Sequence, residues 1–144
     1  MPPREVAHYD PSGPNAPLAW YGGKRLQAHW IIEQMPAHRT YLDPYGGMAN
    51  VLLKKNPSKV EIFNDRDGRV VNLFRVIQDP TGLAELKRRC ELTPYARRTF
   101  IDYCQSPEPT DPIKRAHRFF VLAGKHGAVL GRQRSAPPPG RPAP

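Results

Sequence analysis

The chain has 144 residues, which is enough for one domain with a hydrophobic core and too short for two ordinary domains. Its formal charge of +9 favours a polyanion, nucleic acid first, as a partner. Two unpaired cysteines, no apolar leader and no long apolar stretch argue against a disulfide framework, a zinc or other metal site, secretion and a membrane partner, so we expect a cytoplasmic protein.

The ends of the chain differ from its middle. Residues 1–17 are rich in proline and are expected to form an N-terminal arm. Residues 127–144 are a low-complexity tail rich in proline and arginine, expected to be extended. The foldable domain is therefore predicted to span residues 18–126.

The first elements predict a strand, a glycine turn and a helix. Apolar residues at helical spacing predict a helix over Lys24–Met35, which Pro36 ends. Thr40–Asp43 is a short strand that leads into the turn Pro44–Gly47. Met48–Lys55 then has the composition of a short helix with cations near its C-terminal end.

A second unit of the same kind follows. Lys59–Asp65 is rich in β-branched and aromatic residues and predicts a buried strand that ends at Asp65. Val70–Ile77 predicts an apolar helix that stops before Asp79 and Pro80. Two β-then-α units in succession imply a parallel sheet.

Three more helices are predicted after these units. They span Thr81–Leu92, Thr93–Cys104 with Pro94 in the first turn, and Ile113–Lys125. The last helix is basic, and a solvated cationic face is the more ordinary interpretation than a phosphate contact. The histidines show no metal or catalytic spacing, so surface or core positions are expected for them.

A glycine turn after one strand and an acidic residue after the next is the arrangement of Rossmann-like folds. Gly46 and Gly47 would let the backbone approach a ligand closely, and Asp65 would accept hydrogen bonds from vicinal ribose hydroxyls. The full GxGxxG fingerprint is missing, so NAD is not favoured and an ordinary tight turn stays open.

The order of several motifs makes the chain resemble the DNA adenine methylase family over roughly Trp20 to Lys125. The segments that carry the resemblance are Trp20–Lys24, Tyr41–Leu53, Asn64–Asp65, Val71–Val76, Thr93–Arg97 and Arg115–Leu122. The resemblance implies an α/β, Rossmann-like fold that depends on S-adenosylmethionine, and double-stranded DNA as the partner.

The resemblance also implies roles for individual residues. Trp20 would pack near S-adenosylmethionine, Lys24 would meet its carboxylate, and the turn with Gly46 and Gly47 would pass under its methionine part. Asp65 would hold the ribose hydroxyls, and Asp43 would orient the turn or the cofactor's ammonium group. The residues alone leave plainer roles open: Trp20 as a core aromatic, Lys24 as a solvated side chain and Asp65 as a helix N-cap.

Family members hold the adenine amine with a D-P-P-Y tetrapeptide, and no such tetrapeptide occurs in this sequence. Asp43-Pro44-Tyr45 lies too early, and we name no catalytic residue. The resemblance fades near His126, so we expect a truncated, incomplete fold that is inactive alone. Its exposed sheet edge predicts self-association or a second chain that supplies the missing strands.

Three functional hypotheses follow. The first is an adenine-N6 DNA methyltransferase of phage or restriction-modification type, present here as a truncated form. The second is a non-catalytic remnant that binds S-adenosylmethionine or DNA. The third is another nucleotide-binding domain, which would prefer NAD or ATP.

Overall fold

The computed structural model describes residues 6–94 and 96–133, with side chains described as far as residue 124. The elements in chain order are α1 (Ala28–Glu33), β1 (Thr40–Asp43), β2 (Val60–Phe63), α2 (Gly68–Gln78), α3 (Pro80–Leu92), α4 (Arg97–Gln105) and α5 (Pro112–Gln133). Strands and the segments around them form one half of the chain, and four helices form the other.

The sheet is small and parallel, as the two β-then-α units predicted. β1 pairs with β2 from Thr40 opposite Val60 to Asp43 opposite Phe63. Within the described residues the sheet has these two strands. The chain is thus a mixed α/β structure, and the described part does not form a complete Rossmann fold.

The second strand was predicted to be buried, and this prediction is wrong. Val60 and Ile62 are 43% and 46% exposed, and Leu42 on the paired strand is 55% exposed. Strands of a parallel sheet are buried when helices cover both faces. Here no described element covers the face that these three side chains share, so the exposed surface is a sheet face, whereas the sequence predicted an exposed edge.

The helix predicted over Met48–Lys55 is also wrong, because the segment forms a turn and a single 3₁₀ turn at Leu52–Lys54. Gly47 and Ala49 both have a positive φ, of 51° and 54°. A right-handed helix cannot pass through such residues, so the favourable helix composition is overridden.

Lys55 follows this segment and is almost fully buried. Its ammonium group donates to the Glu61 carboxylate at 2.5 Å and to the Ser58 hydroxyl at 2.8 Å. It also lies 4.8 Å from the centre of the Tyr41 ring. These contacts join the end of the turn segment to both strands.

The helices pack around α5, which contacts α2, α3 and α4. The side chains of the Asp67 and Asp79 N-caps accept from the backbone N–H groups of Arg69 and Gly82 at the starts of α2 and α3. Their apolar faces meet in a core with the buried residues Leu18, Met48, Val70, Leu73, Val76, Leu86, Ala116 and Phe119. This core includes residues from both halves of the chain.

The ends of α4 and α5 differ from prediction. α4 begins at Arg97 instead of Thr93, because Ala96 is extended and the Thr93 hydroxyl donates to the carbonyl of Arg89. α5 continues to Gln133, so the first residues of the predicted extended tail are helical. His117 on α5 is buried, which is the ordinary core position, with Nε2 2.8 Å from the Thr93 hydroxyl.

Part of the predicted N-terminal arm packs on the domain. Asp10 N–H donates to the Lys54 carbonyl at 2.7 Å, and Asn56 N–H donates to the His8 carbonyl at 3.0 Å. Ala7 is buried in a second core cluster with Ala28, Ile32 and Val51. Residues 1–5 and 134–144, which complete the predicted arm and tail, lie outside the described residues.

Candidate functional site

The six residues predicted to bind a cofactor line one cavity of about 300 Å³. They are Trp20, Lys24, Asp43, Gly46, Gly47 and Asp65. The cavity lies where β1 and β2 end, since Asp43 is the last residue of β1 and Asp65 follows shortly after β2. The carboxyl ends of parallel strands are the usual place for a ligand in α/β folds.

The glycine turn is held by the two residues after β2. Asn64 accepts from Gly46 N–H at 3.0 Å through its carbonyl, and its side-chain amide donates to the Pro44 carbonyl at 3.1 Å. One carboxylate oxygen of Asp65 accepts from Gly47 N–H at 2.8 Å. The turn that borders the cavity is therefore fixed from the end of β2.

Both glycines lie where a Cβ atom would be crowded, Gly46 far more than Gly47. A Cβ atom on Gly46 would lie 2.1 Å from Phe63 Cε2, which is far inside contact distance. Gly47 has a positive φ, and a Cβ atom there would lie 3.0 Å from Cδ1 of the Trp20 ring, which lines the cavity. The turn is thus tightly packed against Phe63 and Trp20, and the close approach to a ligand stays a prediction.

Asp65 is not the N-cap of the following helix, which was one of its plainer possible roles. Asp67 caps α2, and the second oxygen of Asp65 accepts from Asp67 N–H at 2.8 Å. Each carboxylate oxygen of Asp65 already has one donor and retains a further lone pair. Asp65 can hold the turn and still accept from a ligand hydroxyl.

Trp20 and Lys24 also line the cavity. The Trp20 ring packs edge-on to Phe119 with centroids 5.4 Å apart, so it is both a partly buried core aromatic and a wall of the cavity. Lys24 is exposed, and its ammonium group donates to the Gly22 carbonyl at 2.9 Å. Gly22 has a φ of 72°, and the turn closes with Gly23 N–H donating to the Trp20 carbonyl.

Asp43 provides a half-buried carboxyl group in the cavity. Burial raises the pKa of Asp43, the nearby Asp65 raises it further, and hydrogen bonds from Tyr41 and Tyr45 together with the Lys24 charge oppose the rise. The Tyr41 hydroxyl donates to it at 3.2 Å. Burial, and after it the Asp43 charge, raises the pKa of Tyr41.

Three residues of the site were not singled out from the sequence. Tyr41 and Asn50 line the cavity, and Asn64 clasps the turn. The proximity of Asn64 to Asp65 was the one available signal, but its contacts with the turn depend on the pairing of β1 with β2.

Among the residues that the structure describes, no group of three histidine, cysteine or acidic side chains is arranged to bind a metal ion. In the same part of the chain, no helix has the length and apolar character needed to cross a bilayer.

The fold is α/β, with a cavity at the carboxyl ends of two parallel strands. The sequence pattern of the family described as D12 class N6 adenine-specific DNA methyltransferase matches residues 20–125, well over half of the chain. The chain belongs to this family, which confirms the resemblance seen in the sequence. No curated protein and no solved structure matches the chain significantly.

Proposed function

We propose that this chain binds S-adenosylmethionine in the 300 Å³ cavity as the cofactor-binding part of an adenine-N6 DNA methyltransferase. The observation that carries the proposal is that all six residues predicted for the cofactor line this one cavity. Membership of the methyltransferase family makes S-adenosylmethionine the cofactor to test first.

The charges in the cavity suit the methionine end of the cofactor, where the carboxylate and the ammonium group share one α-carbon. Lys24 provides a cation for the carboxylate, and Asp43, close enough to feel the Lys24 charge, provides an anion for the ammonium group. Asp65 offers its remaining lone pairs to the ribose hydroxyls. The Trp20 ring gives an apolar wall beside the glycine turn.

The bound cofactor would supply a methyl group on its sulfonium sulfur for transfer to the exocyclic N6 of adenine. That nitrogen is a poor nucleophile because its lone pair is delocalised into the ring. Transfer therefore needs groups that position the amine and accept from it. The 144 residues contain no D-P-P-Y tetrapeptide, so we propose that they bind cofactor and transfer no methyl group alone.

Calorimetric titration of the chain with S-adenosylmethionine tests this proposal. Lys24→Gln and Asp43→Asn should each weaken binding about tenfold, as expected for loss of one charge-assisted hydrogen bond. Lys87→Gln is the matched control, because Lys87 is exposed on α3 away from the cavity. No saturable binding by a chain that melts cooperatively would overturn the proposal.

Two partners are proposed with this function. The family description names DNA as the substrate, and we propose double-stranded DNA as the partner, with the charge of +9 supporting binding to phosphate. A second polypeptide is proposed to cover the exposed strand face of Leu42, Val60 and Ile62.

Transfer of a radiolabelled methyl group to DNA above background by this chain alone would contradict the inactivity proposed above.

A further inference from the structure

A second cavity, of about 860 Å³, adjoins the cofactor cavity. The two share a wall made by Trp20, the segment 22–24 and Asn50. The outer wall of the second cavity comes from the N-terminal segment between Tyr9 and Ala19. A segment with the composition of a loose arm thus forms one side of this open cavity.

The outer wall is fixed by several contacts. The Lys54 ammonium group donates to the Pro11 carbonyl at 3.1 Å and to the Gly13 carbonyl at 2.5 Å. A Cβ atom on Gly13 would lie 2.6 Å from the Leu53 carbonyl oxygen, so the two segments are in close contact. Tyr9 pairs with Lys55 in an isolated antiparallel bridge.

The charge of this cavity has one sign. Three cationic residues line it, Lys24, Arg25 and Lys54, and no aspartate or glutamate is among the described residues that do so. Hydrogen bonds from Ser12, and after them the charge of nearby Lys54, lower the pKa of Asp10, so one carboxylate lies beside one of the three cations. The cationic residues still outnumber this carboxylate, which favours an anionic ligand.

The other lining groups suit a nucleobase. Asn15, Gln27 and Asn50 carry side-chain amides, which both donate and accept as base edges require. Tyr9 and Trp20 provide aromatic surface against which a planar base can pack. The cavity therefore combines recognition of phosphate with recognition of a base.

We propose that the second cavity binds a phosphorylated nucleoside, with the phosphate at Arg25 and the base among the amides and aromatic rings. The ligand has two sources with this chemistry, a free nucleotide or one nucleotide of a DNA strand. The site does not depend on the cofactor proposal, because its outer wall and Arg25 belong to this cavity and not to the cofactor cavity.

Titration of the full chain with each deoxynucleoside monophosphate, the matching deoxynucleosides and inorganic phosphate tests the proposal. Saturable binding of at least one monophosphate, with the matching nucleoside at least about tenfold weaker, is expected from the loss of a charge-assisted contact. Equal affinity for nucleoside and nucleotide, binding of phosphate alone as tightly as the nucleotide, or no saturable binding would overturn it.

Variants place the ligand in the cavity. Arg25→Gln should weaken monophosphate binding about tenfold, and Asn15→Asp should weaken it by adding a carboxylate to the wall. Arg98→Gln is the matched control, because Arg98 is on α4 with a side chain 87% exposed and paired with Asp102. Melting curves identify any variant that fails to fold. Binding that is unchanged in Arg25→Gln and Asn15→Asp would contradict the assignment.

Two competition experiments complete the test. Saturating S-adenosylmethionine should leave the monophosphate able to bind, with only a modest change in affinity through the shared wall. Full competition would show one shared site and overturn the proposal of a second. If a short single-stranded oligonucleotide displaces the monophosphate, the ligand is a nucleotide of a DNA strand. If the monophosphate binds and the oligonucleotide does not displace it, the ligand is a free nucleotide. If the chain binds the monophosphate but not S-adenosylmethionine, the cofactor proposal is wrong and the proposal of a nucleotide site is retained.

Discussion

Replacement of Gly46 by alanine tests whether contact with Phe63 fixes the cofactor turn. The new Cβ atom would lie 2.1, 2.6 and 3.0 Å from three atoms of the Phe63 ring. Carbon atoms in contact are about 3.5–4.0 Å apart, so the ring or the turn has to move by more than about 1 Å. The ring cannot retreat freely, because its centroid lies 5.0 Å from that of Phe74.

The expected cost follows from overpacking. Forcing extra carbon into a packed site costs about 1–3 kcal/mol of unfolding free energy. At about 2–4 °C per kcal/mol for a chain near this size, a cost of about 2 kcal/mol lowers the Tm by about 4–8 °C. The same displacement moves Gly47 and the cavity wall, so affinity for S-adenosylmethionine should fall as well.

A double-mutant cycle with Phe63→Leu isolates the contact. Leucine lacks the distal ring atoms, so Gly46→Ala should cost at least about 0.5 kcal/mol less in that background. Gly22→Ala is the comparison variant, because its Cβ would meet nothing within 4 Å and its cost is about 1–2 kcal/mol of backbone strain alone. If Gly46→Ala has the same Tm as wild type, or if Phe63→Leu does not change the loss of unfolding free energy caused by Gly46→Ala, contact with Phe63 does not fix the turn.

Three further predictions concern charge and the exposed sheet. The pKa of Asp43 is raised in the folded state above its ordinary value of 3.8, so ionisation of Asp43 destabilises the folded state. Asp43→Asn should therefore be more stable than wild type above the folded pKa, and this difference should disappear as pH falls below 3.8. Urea titrations at a series of pH values measure it. Glu61→Gln leaves the buried Lys55 charge without its anion and should cost about 2 kcal/mol in the same titrations, and a cost below about 0.5 kcal/mol would show that the pair contributes little. Ile62→Lys puts a charge on the uncovered strand face and should reduce self-association in sedimentation experiments, whereas Lys87→Gln should not; equal association of both variants would exclude this face.

The sequence predicted the strands and the site better than the connections between them. β1 has the predicted bounds Thr40–Asp43, and the parallel pairing follows from the repeated β-then-α pattern. The six site residues share a cavity because strand ends and the turns after them meet at one edge of a sheet. Their roles toward the cofactor stay predictions.

The rest depended on tertiary contacts that composition does not encode. Met48–Lys55 has helix-forming residues, but hydrogen bonds from the turn to Asn64 and Asp65 stabilise a conformation in which Ala49 has a positive φ. β2 has the composition of a buried strand, yet no described element covers Val60 and Ile62. The proline-rich composition of the first residues gave no sign that Lys54 would hold their carbonyls.

The contact between Trp20 and Phe119 has a consequence for how ligand binding is detected. Trp20 touches both the glycine turn and the core face of α5, so the indole senses the cavity and the helical half together. Its fluorescence should respond to a ligand in either adjoining cavity. Phe119 lines neither cavity, yet its truncation would leave the Trp20 ring less well packed and so weaken ligand binding. Reduced affinity in a variant of α5 would therefore not show that α5 contacts the ligand.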